Sequence, residues 1–225
     1  MIRFWIRFCL VAALAIVWTS TGLAAEGKLV AVNKSPAGVS DKIAAALNPA
    51  GQQAVIEGTV VGTVWLVKEL PVKSDFKPSL SIKYPLAQGQ LVGVLEVVKK
   101  SEFTDFRGQE VAVGAYTLRY GQQPVDGNHV GTSDLSDFLL AIPAKADVDP
   151  ATPATVEELF KRSAKTTGSN HPAIYSLLPP KADDKSPSLA HEKELWVLRL
   201  TADGKSDKGA VKVPLRLVIV GVSEE

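Results

Sequence analysis

The feature that most constrains this chain is a series of short segments in which apolar residues alternate or run together, separated by clusters of Gly, Pro, Asn and Asp. A period of two puts alternate side chains on opposite faces of a strand, whereas helices need a period near 3.6. Gly58–Leu70 is rich in β-branched residues and carries Trp65. Leu80–Tyr84 alternates, with one face expected buried and one wet. Leu91–Val98 is more continuously apolar and reads as a central strand. Val111–Tyr120 alternates again, and Phe138–Ile142 is short and apolar. Leu195–Thr201 leads through Ala202-Asp203-Gly204-Lys205, which reads as a turn, toward Val211–Val220. In that last segment Val211, Val213, Leu215, Leu217 and Ile219 share a face. Pro214 lies on the other and cannot donate to a ladder, which predicts an edge strand or a bulge.

Helical signals are few. Asp41–Leu47 is a short candidate with Ser40 as N-cap and Asn48-Pro49 as its stop. A second follows Thr155, where Thr155-Val156-Glu157-Glu158 has the form of a capping box. Val156, Leu159, Phe160 and Ala164 would form its apolar stripe, and Gly168 its C-terminal cap. Pro143–Pro153 and Pro179–Ser188 flank this helix and are rich in Pro, Ala and Asp. Residues 143–190 therefore read as an excursion from a single domain, because they are too few to bury a core of their own. The pattern predicts a mainly β fold, an antiparallel β-sandwich of Ig-like or transthyretin-like type, with one or two short helices in the excursion.

The amino terminus reads differently. Arg3 and Arg7 precede an unbroken apolar stretch from Phe8 to Trp18, and Gly22-Leu23-Ala24 forms a small-x-small site. This is the layout of a secretory signal peptide over residues 1–24, cut after Ala24 or Ala25. A bilayer-spanning helix needs roughly 20 apolar residues, about twice this stretch. Cys9 lies within the apolar stretch and lacks the small-residue approach of a lipidation site. The expectation is a soluble domain over residues 25–225, periplasmic or secreted, with no transmembrane segment after cleavage.

Cleavage would remove the chain's one Cys and one Met. The exported domain would then have no disulfide, thiolate nucleophile or sulfur ligand, which excludes blue-copper, iron–sulfur and Cys-zinc chemistry. The 25 Lys+Arg and 24 Asp+Glu of the full chain are nearly balanced, and cleavage would remove two of the former, Arg3 and Arg7. No basic stripe points to nucleic acid.

Candidate chemistry centres on the three histidines: His129 in Asp126-Gly127-Asn128-His129, His171 in Asn170-His171-Pro172, and His191 in Ala190-His191-Glu192. Each is read as lying in a loop ahead of a strand. If those strands run the same way, the loops emerge together, and Asp134 and Asp137 follow His129 closely. A site of two or three imidazoles with a carboxylate would suit zinc. The spacing matches no local motif such as H-E-x-x-H, and loop histidines beside Asn, Gly and Pro often only shape turns. Asp126-Gly127-Asn128 lacks the alternating acids of a calcium loop. Ser133 lies near His129 without a G-x-S-x-G elbow. Tyr84 and Tyr120 close their strands and could face solvent as a sugar platform, whereas Trp65 and Trp196 belong in the core.

Asp105-Phe106-Arg107-Gly108-Gln109, Gly114-Ala115-Tyr116-Thr117-Leu118-Arg119-Tyr120, Asp126-Gly127-Asn128-His129, Asp137-Phe138-Leu139-Leu140 and Asn170-His171-Pro172-Ala173 follow one another over residues 105–175. This order resembles a family of uncharacterised exported bacterial proteins sharing G-x-Y-T-L-R-Y…D-G-N-H…D-F-L-L…N-H-P-A. The resemblance places His129 and His171 inside signature pieces and carries over no catalytic residue. Gly114-Ala115-Tyr116 also resembles the tyrosine corner of Ig-like sandwiches, where the hydroxyl bonds to nearby backbone. The functional expectation is a non-catalytic module that binds an envelope protein or glycan partner and holds no cofactor. The alternative is a zinc-type metal protein, of a kind that includes hydrolases, built on His129, His171, His191, Asp134 and Asp137.

Overall fold

The computed structural model describes residues 26–98, 103–123, 136–151 and 155–223. The predicted signal segment, His129 and Asp134 lie outside these residues. In chain order the elements are β1 (Gly27–Val32), α1 (Asp41–Ala46), β2 (Gly51–Ile56), β3 (Thr59–Leu66), β4 (Leu70–Pro71), β5 (Leu91–Val97), β6 (Gly114–Gln122), β7 (Asp137–Pro143), α2 (Val156–Thr167), β8 (Ala173–Ser176), β9 (Ser188–Glu192), β10 (Leu195–Ser206) and β11 (Gly209–Val220).

Seven strands form one antiparallel sheet in the order β1-β2-β3-β5-β6-β7-β8. The other four form a smaller sheet, with β10 between β11 and the short strands β9 and β4. The β4–β10 pair is parallel. Trp65, Val94, Leu118 and Leu139 of the large sheet share one buried cluster with Leu198, Leu215 and Leu217 of the small one. The predicted mainly β, sandwich-like fold is therefore present. Burying a Leu or Val side chain of this kind is worth ~1.5–3 kcal/mol.

The sheets approach each other at both flanks. Beyond β8, Leu177 bridges to Leu217, and the Leu178 amide donates to the Arg216 carbonyl at 2.9 Å. At the other flank β9 lies against β1. There the Trp196 ring covers Gly27 so closely that a Cβ would fall 2.1 Å from the ring, which is why only glycine fits.

The second helix forms where its caps predict. The Thr155 hydroxyl accepts from the Glu158 amide at 3.1 Å, and Gly168 ends the helix at φ 67°. Ser40 likewise caps α1 by accepting from Ile43. The α2 helix packs on the outer face of β7 and β8, where Phe138, Leu140, Ile142 and Leu159 make a second buried cluster. Leu139 and Ala141 face the main core. The strand is thus covered on both sides, which explains its unbroken apolar sequence.

Several expectations change. Leu80–Tyr84 alternates but joins no ladder. It runs between the sheets, held by single bonds: the Tyr84 hydroxyl donates to the Leu178 carbonyl at 2.7 Å and accepts from the Arg216 amide at 3.2 Å. Ala202–Lys205 is strand, not turn. Asp203 pairs with Lys212 and Gly204 with Val211, and the hairpin turns at Asp207-Lys208. Four strands, β1, β2, β8 and β9, escaped the reading: GKLVAV, GQQAVI and SLAHE carry few β-branched residues, and AIYS is only four residues long. Within residues 143–190, β8 belongs to the large sheet. Pro214 does lie on an edge strand, β11, as its missing donor requires.

Candidate functional site

The residues singled out for metal binding do not lie together where they are described. Asp137 opens β7, beside the end of β8, and its carbonyl accepts from the Leu177 amide at 3.0 Å. His171 is exposed ahead of β8, beyond the Ala141–Ala173 pairing that closes the other end of the same strand pair. His191 is not in a loop. It lies in β9 opposite Trp196, and their rings stack with centroids 4.6 Å apart. That position is at the β1 flank, away from β8. Among the described residues no group of three or more His, Cys, Asp or Glu converges.

Asp137 belongs to a different arrangement. It is 2% exposed. Its carboxylate accepts the Tyr120 hydroxyl and, at 2.5 Å, the Lys83 amide. Gln122 donates to the same hydroxyl at 2.9 Å, and Gln88 donates to Gln122 at 3.2 Å, so a hydrogen-bonded chain runs from the surface to the acid. Burial outweighs these bonds and raises the Asp137 carboxyl above its ordinary value. Burial also raises the Tyr84 and Tyr120 phenols. Both rings are buried, at 1% and 0% exposure, which removes them as a solvent-facing sugar platform. Trp65 and Trp196 are core, as expected. Tyr116 forms the corner: its hydroxyl donates to the Ala112 carbonyl at 2.7 Å.

Three further polar centres were not foreseen, because each joins residues distant in the chain. Arg119, fully buried, grips Asp147 through Nε at 2.6 Å and Nη2 at 2.9 Å. It also donates to the Gly89 and Asp149 carbonyls. Asp105 accepts from the Arg107, Gln109 and Ile174 amides and so ties the 105–109 turn to β8. On the small sheet, the cross-strand pair Arg199 and Arg216 meets Asp184 and Glu192, with Lys181 also on Glu192. Burial opposes charge at Glu192. Bonds from Arg216, Arg199 and Lys181 prevail and bring it to about 2. In each of these centres the charged groups bond to one another or to backbone.

The open surface beside α2 contrasts with them. The sheet-facing side of the helix uses Leu159 and two hydroxyls. Ser163 donates to the Ala141 and Ala173 carbonyls, and Thr166 donates to Ala141 at 2.8 Å. Of the expected stripe, Phe160 packs on Phe138 with ring centroids 6.3 Å apart and is only half-buried; together with Ala164 and Pro172 it borders a groove of about 620 Å³. Glu157, Lys161, Lys165 and Asn170 line its rim. Among the described residues, neither lysine has an ion-pair partner within 4.0 Å. The Asn170 side chain is likewise without a hydrogen bond there. The sequence signal for this site was the stripe itself; what it lacked was the side of the helix that faces out.

No protein-family model, curated protein or solved structure matches the chain.

Proposed function

We propose that this chain is an exported, non-catalytic β-sandwich module that binds an envelope partner over the α2 groove. One observation carries the reading: α2 directs Ser163 and Thr166 to the sheet and leaves Ala164 and the open side of Phe160 against a groove rimmed by cations that pair with no described residue. Apolar side chains with an unpaired polar rim are the anatomy of contact surfaces. The other charge centres support the reading differently, since Arg119, Asp147, Asp105 and Glu192 are already engaged in holding the chain together.

Two measurements test it. N-terminal sequencing of the protein recovered from its native cell should start at Ala25 or Glu26; a chain that keeps residues 1–24 sinks the export half. A photo-crosslinking residue at Ala164 should give a discrete adduct in those cells, lost when Lys161→Glu and Lys165→Glu are added. The same residue at Lys212, on the small sheet, should not give that adduct. Equal products from both positions, or none from Ala164, would overturn the groove as the contact surface.

A further inference from the structure

We infer that the occupant of the α2 groove is an acidic peptide segment of a partner protein, with an apolar side chain against Phe160, Ala164 and Pro172 and carboxylates toward Lys161 and Lys165. This rests on the groove being the contact surface.

The charge layout carries it. Lys161 and Lys165 stand four residues apart on α2 and so project from one face. Exposed lysines elsewhere are of both kinds: Lys42, Lys208 and Lys212 are matched with Asp149, Asp75 and Asp203, whereas Lys28, Lys73 and Lys145 have no described ion-pair partner; what sets the groove pair apart is its place beside Phe160, Ala164 and Pro172. The groove pair has no such match among the described residues. Arg162, the residue after Lys161 on the same helix, pairs with Glu158. Glu157 stands one turn before Lys161 and gives the groove a negative end. The acids of an occupant are thereby directed toward the Gly168–Pro172 end of the groove. There Asn170 offers an amide donor and a carbonyl acceptor, the complement of a peptide unit. Ser169, in contrast, is engaged with Gln109 and His171.

Other ligand chemistries fit less well. A small molecule in so open a groove would keep much of its surface wet, whereas such sites usually bury most of their ligand. Phosphate selection favours an arginine fork or a nest of backbone amides, and the rim has two point charges instead. A membrane surface would meet Glu157 alongside only two lysines, short of the basic clusters that hold anionic lipid.

The test uses the full chain purified in the form its host exports, and a displayed library of random twelve-residue peptides. Enriched sequences should combine Asp or Glu with Leu, Ile or Phe. A synthetic copy of the most enriched peptide, followed by fluorescence anisotropy, should bind about tenfold more weakly to the Lys161→Glu/Lys165→Glu variant, a change of about 1.4 kcal/mol. Glu157→Lys should tighten binding, and rising salt should weaken it as exposed charges are screened. No enrichment, enrichment without acids, or a peptide indifferent to both lysines overturns the inference. So does binding of peptidoglycan fragments, in place of peptides, that the lysine reversals abolish. Adducts at Ala164 without acidic selection would leave the groove standing and remove only the acidic-peptide class. Failure of both experiments would remove both.

Discussion

The two sheets each bury arginine, and they do it in opposite ways. In the large sheet Arg119 faces one carboxylate, Asp147, and the side chains are 0% and 2% exposed. In the small sheet Arg216 is 3% exposed but shares Asp184 and Glu192 with Arg199 and Lys181, and Glu192 is 24% exposed. The first centre is dry, and the one further described cation near Asp147, Arg162, comes no closer than 4.0 Å. The second is shared and partly wet. A shared network at a wet edge can redistribute its bonds when a member is lost, whereas a dry pair cannot.

The largest effect should therefore come from the dry pair. Removing one partner of a buried ion pair costs ~3–5 kcal/mol, because the other charge is left uncompensated. Asp147→Asn and Arg119→Met should each lower the unfolding free energy obtained from urea titration by that much. Replacing both, as Arg119→Met with Asp147→Leu, should recover part of the loss. It should not recover all, since the Gly89 and Asp149 carbonyls lose their donor as well. Equal losses for the double and single variants would show that the pair's charge is not what the sheet depends on.

Arg216→Met should cost less, about 1–3 kcal/mol, because Asp184 and Glu192 keep Arg199 and Lys181. The pH dependence sharpens the contrast. Glu192 is lowered from 4.5 to about 2 in the folded chain. Its contribution is present above the unfolded value and is lost as pH falls from about 4.5 toward 2. Thermal melts across that window should fall less steeply for Glu192→Gln than for the parent. An unchanged slope would place the network's stabilisation elsewhere.

Asp137 is a third variant of the problem: a buried acid held by a phenol and an amide, with no cation bonded to it among the described residues. Its carboxyl is raised, so the folded chain binds a proton where the unfolded chain has released it. Stability should then decline as pH rises from the unfolded value near 3.8 through the higher folded one, the reverse of Glu192. Asp137→Asn should remove that decline at a cost of about 1 kcal/mol or less at neutral pH, since an amide oxygen still accepts. A decline that survives in Asp137→Asn would assign it to another group.

These centres also mark where the sequence was legible. Local signals held: Ser40, Thr155 and Gly168 cap the helices they bracket, Tyr116 bonds four residues back, and the alternation of β11 buries Val213, Leu215, Leu217 and Ile219, leaving Val211 exposed at the strand's start. Each depends on neighbours within one turn or one strand. The ion pairs were illegible because Arg119 and Asp147, or Arg216 and Glu192, meet only once the sheets have formed. Leu80–Tyr84 misled for a related reason. Its period was that of a strand, but its bonds go singly to Leu178, Arg216 and Asp137 on other elements. The α2 stripe fell between the two cases. Its period was legible, and the side of it that faces out was set by Ser163 and Thr166 reaching β7 and β8.

The smallest effect on folding belongs to the groove lysines, and that is what makes them informative. Lys161 and Lys165 are exposed or nearly so and pair with no described residue, so nothing in the fold depends on their charge. Substitutions at such positions usually change stability by no more than ~0.5 kcal/mol. The Lys161→Glu/Lys165→Glu variant should unfold at the parent's urea midpoint within that margin. The sign of any residual change is also set. An acid at 165 sits in the last turn of α2, where the helix dipole disfavours negative charge, and an acid at 161 stands one turn from Glu157, so a slight loss is expected. A loss of several kcal/mol would mean that the lysines support the structure, and binding lost on their reversal could then no longer be assigned to the groove. An unchanged midpoint with abolished crosslinking at Ala164 would separate holding the chain together from holding a partner, which is the division already drawn between the engaged arginines of the sheets and the unengaged lysines of the helix.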